Sequence, residues 1–338
     1  MKNLLKELCL INSISGDEKT VREVIIEKIK DFCEYSIDPL GNLICFRKGK
    51  KNSDKKLMIC AHMDEVGFIV TGINPDGTLA FDMVGGVDSV VTIGRQVTVG
   101  QNHLYGVVGS TAVHNLSKEK REKSPNMKSL YIDIGAENKQ DAEKYVSLGE
   151  CIYFESEFTE TENHIKSKAI DDRAGCAIMI RLIHEQPEYD TYFVFNTQEE
   201  IGLRGSRVSA FAVQPDFAIV IEATTASDID GVSGNKKVCS LGGGGVVSFM
   251  DRSTVYDKEL YNLAFETARM NNIPCQTKTM IAGGNDAGAI HLTGKGIRTI
   301  AVSVPCRYLH SASCVINPTD FENSYILVKK LAERIQQL

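Results

Sequence analysis

Apolar and polar positions along this chain follow two rhythms. Residues 17–34 put Val21, Val24, Ile25 and Ile29 on one face of a 3.6-residue repeat, behind the start signal Ser15–Gly16–Asp17. That spacing predicts an amphipathic helix. Apolar runs near 43–47 and 56–61 predict two strands, the second ending on His62. From about 66 to 164 the chain changes character: short Val-, Thr- and Gly-rich runs are broken by turn signals at 74–77 (NPDG), 85–86 (GG) and 100–102 (GQN). Such spacing predicts a small β-barrel or sandwich. From 171 the longer period returns, with helices expected over 172–186, 257–271 and 320–337 and strands over 192–195, 217–221 and 298–304. The pattern is that of an α/β domain interrupted by a β insert.

At 338 residues the chain can bury a large core and fill two domains. A net charge of -6 argues against a nucleic-acid or anionic-membrane surface, since either needs a concentrated basic face, and neither is an expected partner. The basic run Arg47–Lys56 falls between two strands and is read as a solvated loop. The ten cysteines are scattered, with no CxxC, and several sit in apolar runs. Buried thiols in a reducing compartment fit that pattern better than a disulfide framework. The N-terminal segment has too short an apolar core for a signal peptide, and no run approaches ~20 apolar residues. A cytoplasmic location is the expectation.

The charged and imidazole groups fall at strand ends. His62 and Asp64 follow one apolar strand, Glu199 and Glu200 another; Glu222 ends a third, and His310 comes just after a fourth. Open α/β sheets build their sites at the carboxyl ends of strands. Singly, each group has an ordinary explanation: His62 as a hydrogen-bonded strand-end histidine, Asp171 as a helix cap, Glu199 and Glu200 as a solvated turn. Together they do not. Asp171 and Asp172 are adjacent like charges, which repel unless a cation sits between them. Asp64 is spaced to accept the second N–H of a metal-bound His62. Of Glu199 and Glu200, one can ligate while the other serves as general base. Two imidazoles with several carboxylates and no thiolate suit Zn, Co or Mn, and metal-assisted hydrolysis is the reaction they favour.

Six segments, AHMDEVGFIV (61–70), KAIDDRAG (168–175), TQEEIGLRGS (197–206), PDFAIVIEATTASD (215–228), GGNDAG (283–288) and VPCRYLHS (304–311), with DIGA (133–136), resemble in sequence and order those of the M42 family of metallo-aminopeptidases, the glutamyl and tetrahedral (TET) group. The resemblance implies a phosphorylase/hydrolase-like mixed-sheet α/β/α catalytic domain (1–66 and 165–338) and a PDZ-like β-barrel insert (67–164) for oligomerisation and access. It implies two divalent ions, Zn or Co with Mn as the alternative: His62 and Glu222 on one, Glu200 and His310 on the other, Asp171 bridging. Glu199 is then the base, Asp64 the partner of His62, and the Asp171–Asp172 peptide strained or cis. Peptides are the implied substrates and a hollow homo-dodecamer built from dimers the implied assembly.

The chain departs from the commoner family pattern at Glu222, where many relatives carry Asp, at Asn285, where Thr is usual, and in LGGGG (241–245), which lacks a Pro. Asp286 and Glu222 are the acids expected to receive the substrate amine, and Arg307 and Tyr308 the residues expected to hold its backbone. His114, in the insert, is read as a strand cap with reach to a neighbouring subunit as its alternative; His103, His164, His184 and His291 show no constellation. The rival activities are a two-metal deacylase on the same scaffold and a non-enzymatic peptide-binding assembly. A glycosidase would need a carboxylate pair and no metal, which leaves His62 and His310 without a purpose.

Overall fold

The computed structural model describes residues 1–338 and divides their apolar side chains between two cores. A cluster of 58 buried residues lies around a large mixed sheet, and a separate cluster of 16 fills a closed six-stranded barrel. This is the α/β architecture with a β-barrel insert.

Four parallel strands form the centre of the large sheet, in the order Thr191–Asn196, Leu57–His62, Phe217–Thr225, Arg298–Arg307. Leu57–His62 is buried at every position, as expected of a strand covered on both faces. Antiparallel strands finish the edges: Glu34–Ile37 and Leu43–Arg47 on one side, Cys314–Ile316, Ile165–Ser167 and Thr159–Glu160 on the other. Two strands run further than their apolar patterns. Phe217–Thr225 and Arg298–Arg307 stay in register as far as Thr225 opposite Cys306, and this pairing carries Glu222 and the approach to His310 along the same edge.

The helix Ile170–His184 is buried along almost its whole length, because it lies between the sheet and the N-terminal helices Lys2–Cys9 and Lys19–Ile29. Apolar spacing does not predict the first of these. The second is shorter than the expected 17–34, since the chain turns at 30–33 into the antiparallel strand Glu34–Ile37. Asp257 caps the helix Lys258–Met270 through the N–H groups of Glu259 and Leu260. Asn317 caps Pro318–Ile335, whose Pro sits in the first turn, where no N–H is missed.

The barrel strands are Gly67–Ile73, Leu79–Val84, Gln96–Val99, Leu104–Gly109, Tyr131–Asp133 and Cys151–Phe154, all antiparallel. Phe68 anchors its core, edge-on to Phe81 and Phe154 at centroid distances of 5.0 and 5.2 Å. Closure leaves no open edge on this small sheet.

Candidate metal centre

The carboxyl ends of the parallel strands open onto a cavity of about 700 Å³ lined by His62, Asp171, Glu199, Glu200, Glu222 and His310. His62 ends its strand and Glu222 lies within its own, so the sheet itself sets their separation. Asp171 comes at the start of the central helix through a cis Asp171–Asp172 peptide. The remaining ligand candidates sit on turns with left-handed residues: Gln198 (φ 54°) precedes Glu199 and Glu200, and His310 itself has φ 56°. That conformation is unfavourable for non-glycine residues, and such residues collect at functional sites. Gly175 permits close packing here, since a Cβ in its place would lie 2.4 Å from Asp172 Oδ2 and 2.8 Å from Ala61 Cβ.

The two oxygens of Asp171 face different imidazoles: Oδ1 is 3.2 Å from His62 Nε2, and Oδ2 is 3.4 Å from His310 Nε2. Glu222 Oε1 lies 3.5 Å from His62 Nε2, and Glu200 Oε1 lies 3.4 Å from His310 Nε2. Each histidine is held from its other nitrogen. His310 Nδ1 is 2.7 Å from the carbonyl oxygen of Gly86, a residue of the insert, and His62 Nδ1 is 3.0 Å from the carbonyl of Asp64. The Asp64 carboxylate, expected to take the His62 N–H, is further away at 3.5 Å. Its oxygens instead accept hydrogen bonds from the backbone N–H groups of Glu199 and Glu200 and from the Ser15 hydroxyl. Sequence spacing points to the side-chain acceptor and carries no sign of the nearer backbone one.

Electrostatics shows why the site favours cations. Burial pushes the carboxyls of Glu199 and Glu222 well above the usual range, with repulsion from neighbouring acids adding to it, and raises Glu200 to about 7. Asp172 is raised by burial and by Glu222. Burial opposes protonation of His310, yet Asp171 and Glu200 lift it to about 10, and Glu222 and Asp171 lift His62 well above its ordinary value. Asp171 is held low despite burial, by both histidines. Asp64 is also held low: burial works against it, and His62 with the donated hydrogen bonds outweighs burial. Six acids crowd two imidazoles, so the metal-free cluster must hold protons where cations would serve better.

The donors fit hard-to-borderline divalent ions. His62 with Asp171 and Glu200, and His62 with Asp172 and Glu222, each bring ligand atoms within 4.8 Å of one another. Asp172 lies outside the ligand set that the sequence implies. It is fully buried and one of its oxygens, Oδ2, has no hydrogen-bond partner. The nearby thiol of Cys176 donates to the His62 carbonyl and is not aimed at the cluster.

Of the four residues expected to touch substrate, Glu222 lines the cavity and the other three do not. Asp286 is wholly buried behind it, accepting a hydrogen bond from Asn196, because the loop turns it towards the sheet. Arg307 makes a two-pronged ion pair with Asp228 at 2.7 and 2.8 Å. Tyr308 stands out on the surface, and the adjacent Leu309 lines the cavity instead. His114 is exposed on the short helical turn Val113–Asn115.

A mixed α/β sheet with acids and imidazoles at its carboxyl edge defines a hydrolase of the metal-dependent peptidase class. Residues 41–327 match the M42 glutamyl aminopeptidase family, and the chain belongs to that family. A putative aminopeptidase of Acetivibrio thermocellus is 40% identical, over 99% of this chain and 98% of that protein. The lysyl aminopeptidase of Pyrococcus furiosus is 32% identical, over 99% and 97%. Among solved structures, the Pyrococcus horikoshii TET1 peptidase, described as assembling into a tetrahedron or a large octahedral shell, superposes with a TM-score of 0.86 at 33% identity, covering 98% of each chain. No helix is long and apolar enough to cross a membrane.

Proposed function

We propose that this chain is a dinuclear aminopeptidase that removes N-terminal residues from peptides. The observation that carries the reading is the posture of Asp171, whose two oxygens address His62 and His310 separately, as a carboxylate shared between two cations must. His62 and Glu222 would hold one ion and Glu200 and His310 the other; Zn, Co and Mn all suit these donors. When bound, such a pair supplies Lewis acidity that eases ionisation of water and stabilises the oxyanion of the attacked carbonyl.

The remaining work falls to the chain itself. Glu199 lines the cavity beside the ligands without touching either imidazole, so it is free to take a proton from the attacking water and pass it to the leaving amine. Asp64 fixes the turn from which Glu199 and Glu200 project by accepting both their N–H groups. The acidic cavity draws in the cationic N-terminus of a peptide, and Glu222 is the acid suited to meet it. The β insert (67–164) is proposed as the assembly and access domain of a homo-oligomer, in the manner of the TET shells, and its outer wall shows Tyr105, Val107 and Val113 to solvent. Ten unpaired thiols favour a cytoplasmic setting.

Glu199→Gln tests the assignment. Metal content should stay at two equivalents while kcat on aminoacyl anilides drops about 10²–10⁴-fold, the usual worth of a positioned base. An active Glu199→Gln enzyme would remove Glu199 from its role. Preference for N-acylated over free-amine substrates in the unmodified enzyme would replace the aminopeptidase by a deacylase.

A further inference from the structure

The catalytic cavity does not end at its acids. Gly202, Leu203 and Ser253 line it and also line a second hollow of about 880 Å³, which in turn shares Phe211, Thr293 and Gly294 with a third of about 540 Å³. The three make one trough that runs from the metal centre along the helix Arg204–Val213. Arg204, Arg207, Val208 and Phe211 form its floor, at the i, i+3, i+4, i+7 spacing of a single helix face. This is not the face that meets the core, which belongs to Gly205, Ser206, Ser209, Ala210 and Val213. Leu292, just past the helical turn Ala287–Ile290, lines the same hollow. Phe211 and Leu292 leave 65% and 74% of their surfaces exposed, and two large apolar side chains sharing one groove mark a contact face.

The charges along this strip are nearly all of one sign. Arg204, Arg207, Lys55 and Lys295 line the two outer hollows, and none of the four makes a salt bridge within the chain. Arg298, in the third hollow, is already paired with Asp257 and Glu259, each at 2.7 Å. Asp216 is the one acid of the outer walls, and its Oδ2 accepts the Lys56 N–H at 2.8 Å. In a chain of net charge -6, four unpaired cations beside exposed apolar side chains are complementary to an acidic, partly apolar ligand.

The inner end of the trough says where that ligand comes from. The N–H groups of Gly202 and Leu203 both donate to the Glu199 carbonyl at 2.9 Å. The trough therefore opens on the turn whose carboxylate hands a proton to the leaving amine, and that amine is the first atom of the peptide that departs. We propose that the trough is an extended binding site for the part of the substrate beyond the cleaved bond, favouring peptides whose downstream residues combine glutamate or aspartate with an apolar side chain. The inference rests on the aminopeptidase reading above, and it concerns the peptide released rather than the residue removed. From Arg204 to Phe211 the strip spans roughly 10 Å at 1.5 Å per residue, the reach of about three extended residues.

The test compares hexapeptides sharing one first residue, that of the aminoacyl anilide which the metal-loaded enzyme turns over fastest. One carries the downstream sequence Glu-Phe-Glu and its counterpart Lys-Phe-Lys, and the reading is the ratio of their kcat/KM values, which a general loss of activity leaves alone. An exposed ion pair is worth up to about fivefold, so two or three predict a ratio of roughly ten to fifty at low salt, shrinking as ionic strength rises. Arg204→Gln combined with Arg207→Gln should bring the ratio towards unity. Arg207→Glu with Lys295→Glu should invert it, and Arg207→Lys should keep it. A second measurement does not use turnover: by fluorescence anisotropy, an N-acetylated, C-terminally labelled acidic hexapeptide should bind the wild type more tightly than the lysine counterpart, and the double Gln variant should lose that difference. A wild-type ratio near one, or a ratio unmoved by the double Gln variant, overturns the proposal. Variants that dissociate the assembly by light scattering and leave the ratio unmoved would make the trough a contact between copies, which also overturns it. Failure to cleave any anilide would instead strike at the aminopeptidase reading, with anisotropy still deciding on the trough.

Discussion

Glu65 offers the sharpest check on how the helix bearing Asp171 is held. It lies next to Asp64, is buried, and accepts from Lys168 Nζ at 2.7 and 3.0 Å and from the Ser13 N–H at 3.0 Å. The guanidinium of Arg173, with none of its surface exposed, stands 3.8 Å away and donates to the carbonyls of Leu8, Ile11 and Ser13. One anion therefore answers two buried cations. Glu65→Gln keeps the shape and an acceptor oxygen but removes the charge. Breaking a buried pair costs about 3–5 kcal/mol, and the retained acceptor places this change near the lower end, about 3 kcal/mol. Lys168→Met should cost less, because Glu65 then still faces Arg173 and the Ser13 N–H. Burial already holds the Lys168 pKa below the ordinary lysine range, against the pull of Glu65. Without Glu65 it drops further, so the unfolded chain binds the extra proton, and the stability deficit should shrink as pH rises towards the unfolded lysine value. Urea unfolding at fixed protein concentration, with midpoint and slope compared across pH 7 to 10, measures each part. A Glu65→Gln loss below about 1 kcal/mol, or a larger loss in Lys168→Met, would refute the two-cation account.

Two further outcomes follow from the centre itself. In the metal-free protein, Glu200 near 7 and His310 near 10 bind protons more tightly folded than unfolded, so stability should fall as pH rises from about 6 to 9. Added Zn or Mn should flatten that slope by displacing those protons, and its affinity should rise with pH; melting curves and calorimetry across this range check both, and a pH-independent affinity would count against the ligand set. Asp64→Asn turns one acceptor into a donor facing the Glu199 or Glu200 N–H, and should lower kcat/KM or metal affinity about 10–100-fold, as supporting groups around metal ligands do. Unchanged kinetics with full metal content would remove that supporting role.

The alternation of apolar runs with strand-end acids makes the centre legible, because a parallel strand delivers its last residues to a common edge whatever its neighbours are. His62 and Glu222 need no more than that. The insert is readable as a change of rhythm, but short strands and turns suit a sandwich as well as a barrel, and its closure is visible only in the pairing of its six strands. Loops obey no such rule. Asp286 and Lys278 both lie close to GGN, and nothing in periodicity says that the first turns inward to Asn196 while the second enters the cavity wall. Asp172 is marked in the sequence only by its adjacency to Asp171; that its carboxylate comes within ligand distance of His62 and Glu222 depends on the path of the backbone, which side-chain spacing does not encode. The helix Lys2–Cys9 escapes notice because a leucine pair at the start of a chain is a weak signal until it packs against Ile170–His184.

The carbonyl of Gly86 that meets His310 Nδ1 comes from the insert, while the histidine comes from the sheet. Gly85 beside it leaves space that a side chain would fill, since a Cβ at that position would lie only 2.8 Å from Val66 Cγ1. The two bodies are therefore not interchangeable parts. A graft that replaced the barrel by another, or a truncation that closed the chain from 66 to 165, would leave His310 free to choose its tautomer and its tilt. Any lineage that reshapes this barrel for a new assembly has to preserve one backbone oxygen, and the chemistry and the architecture are tied together at that atom.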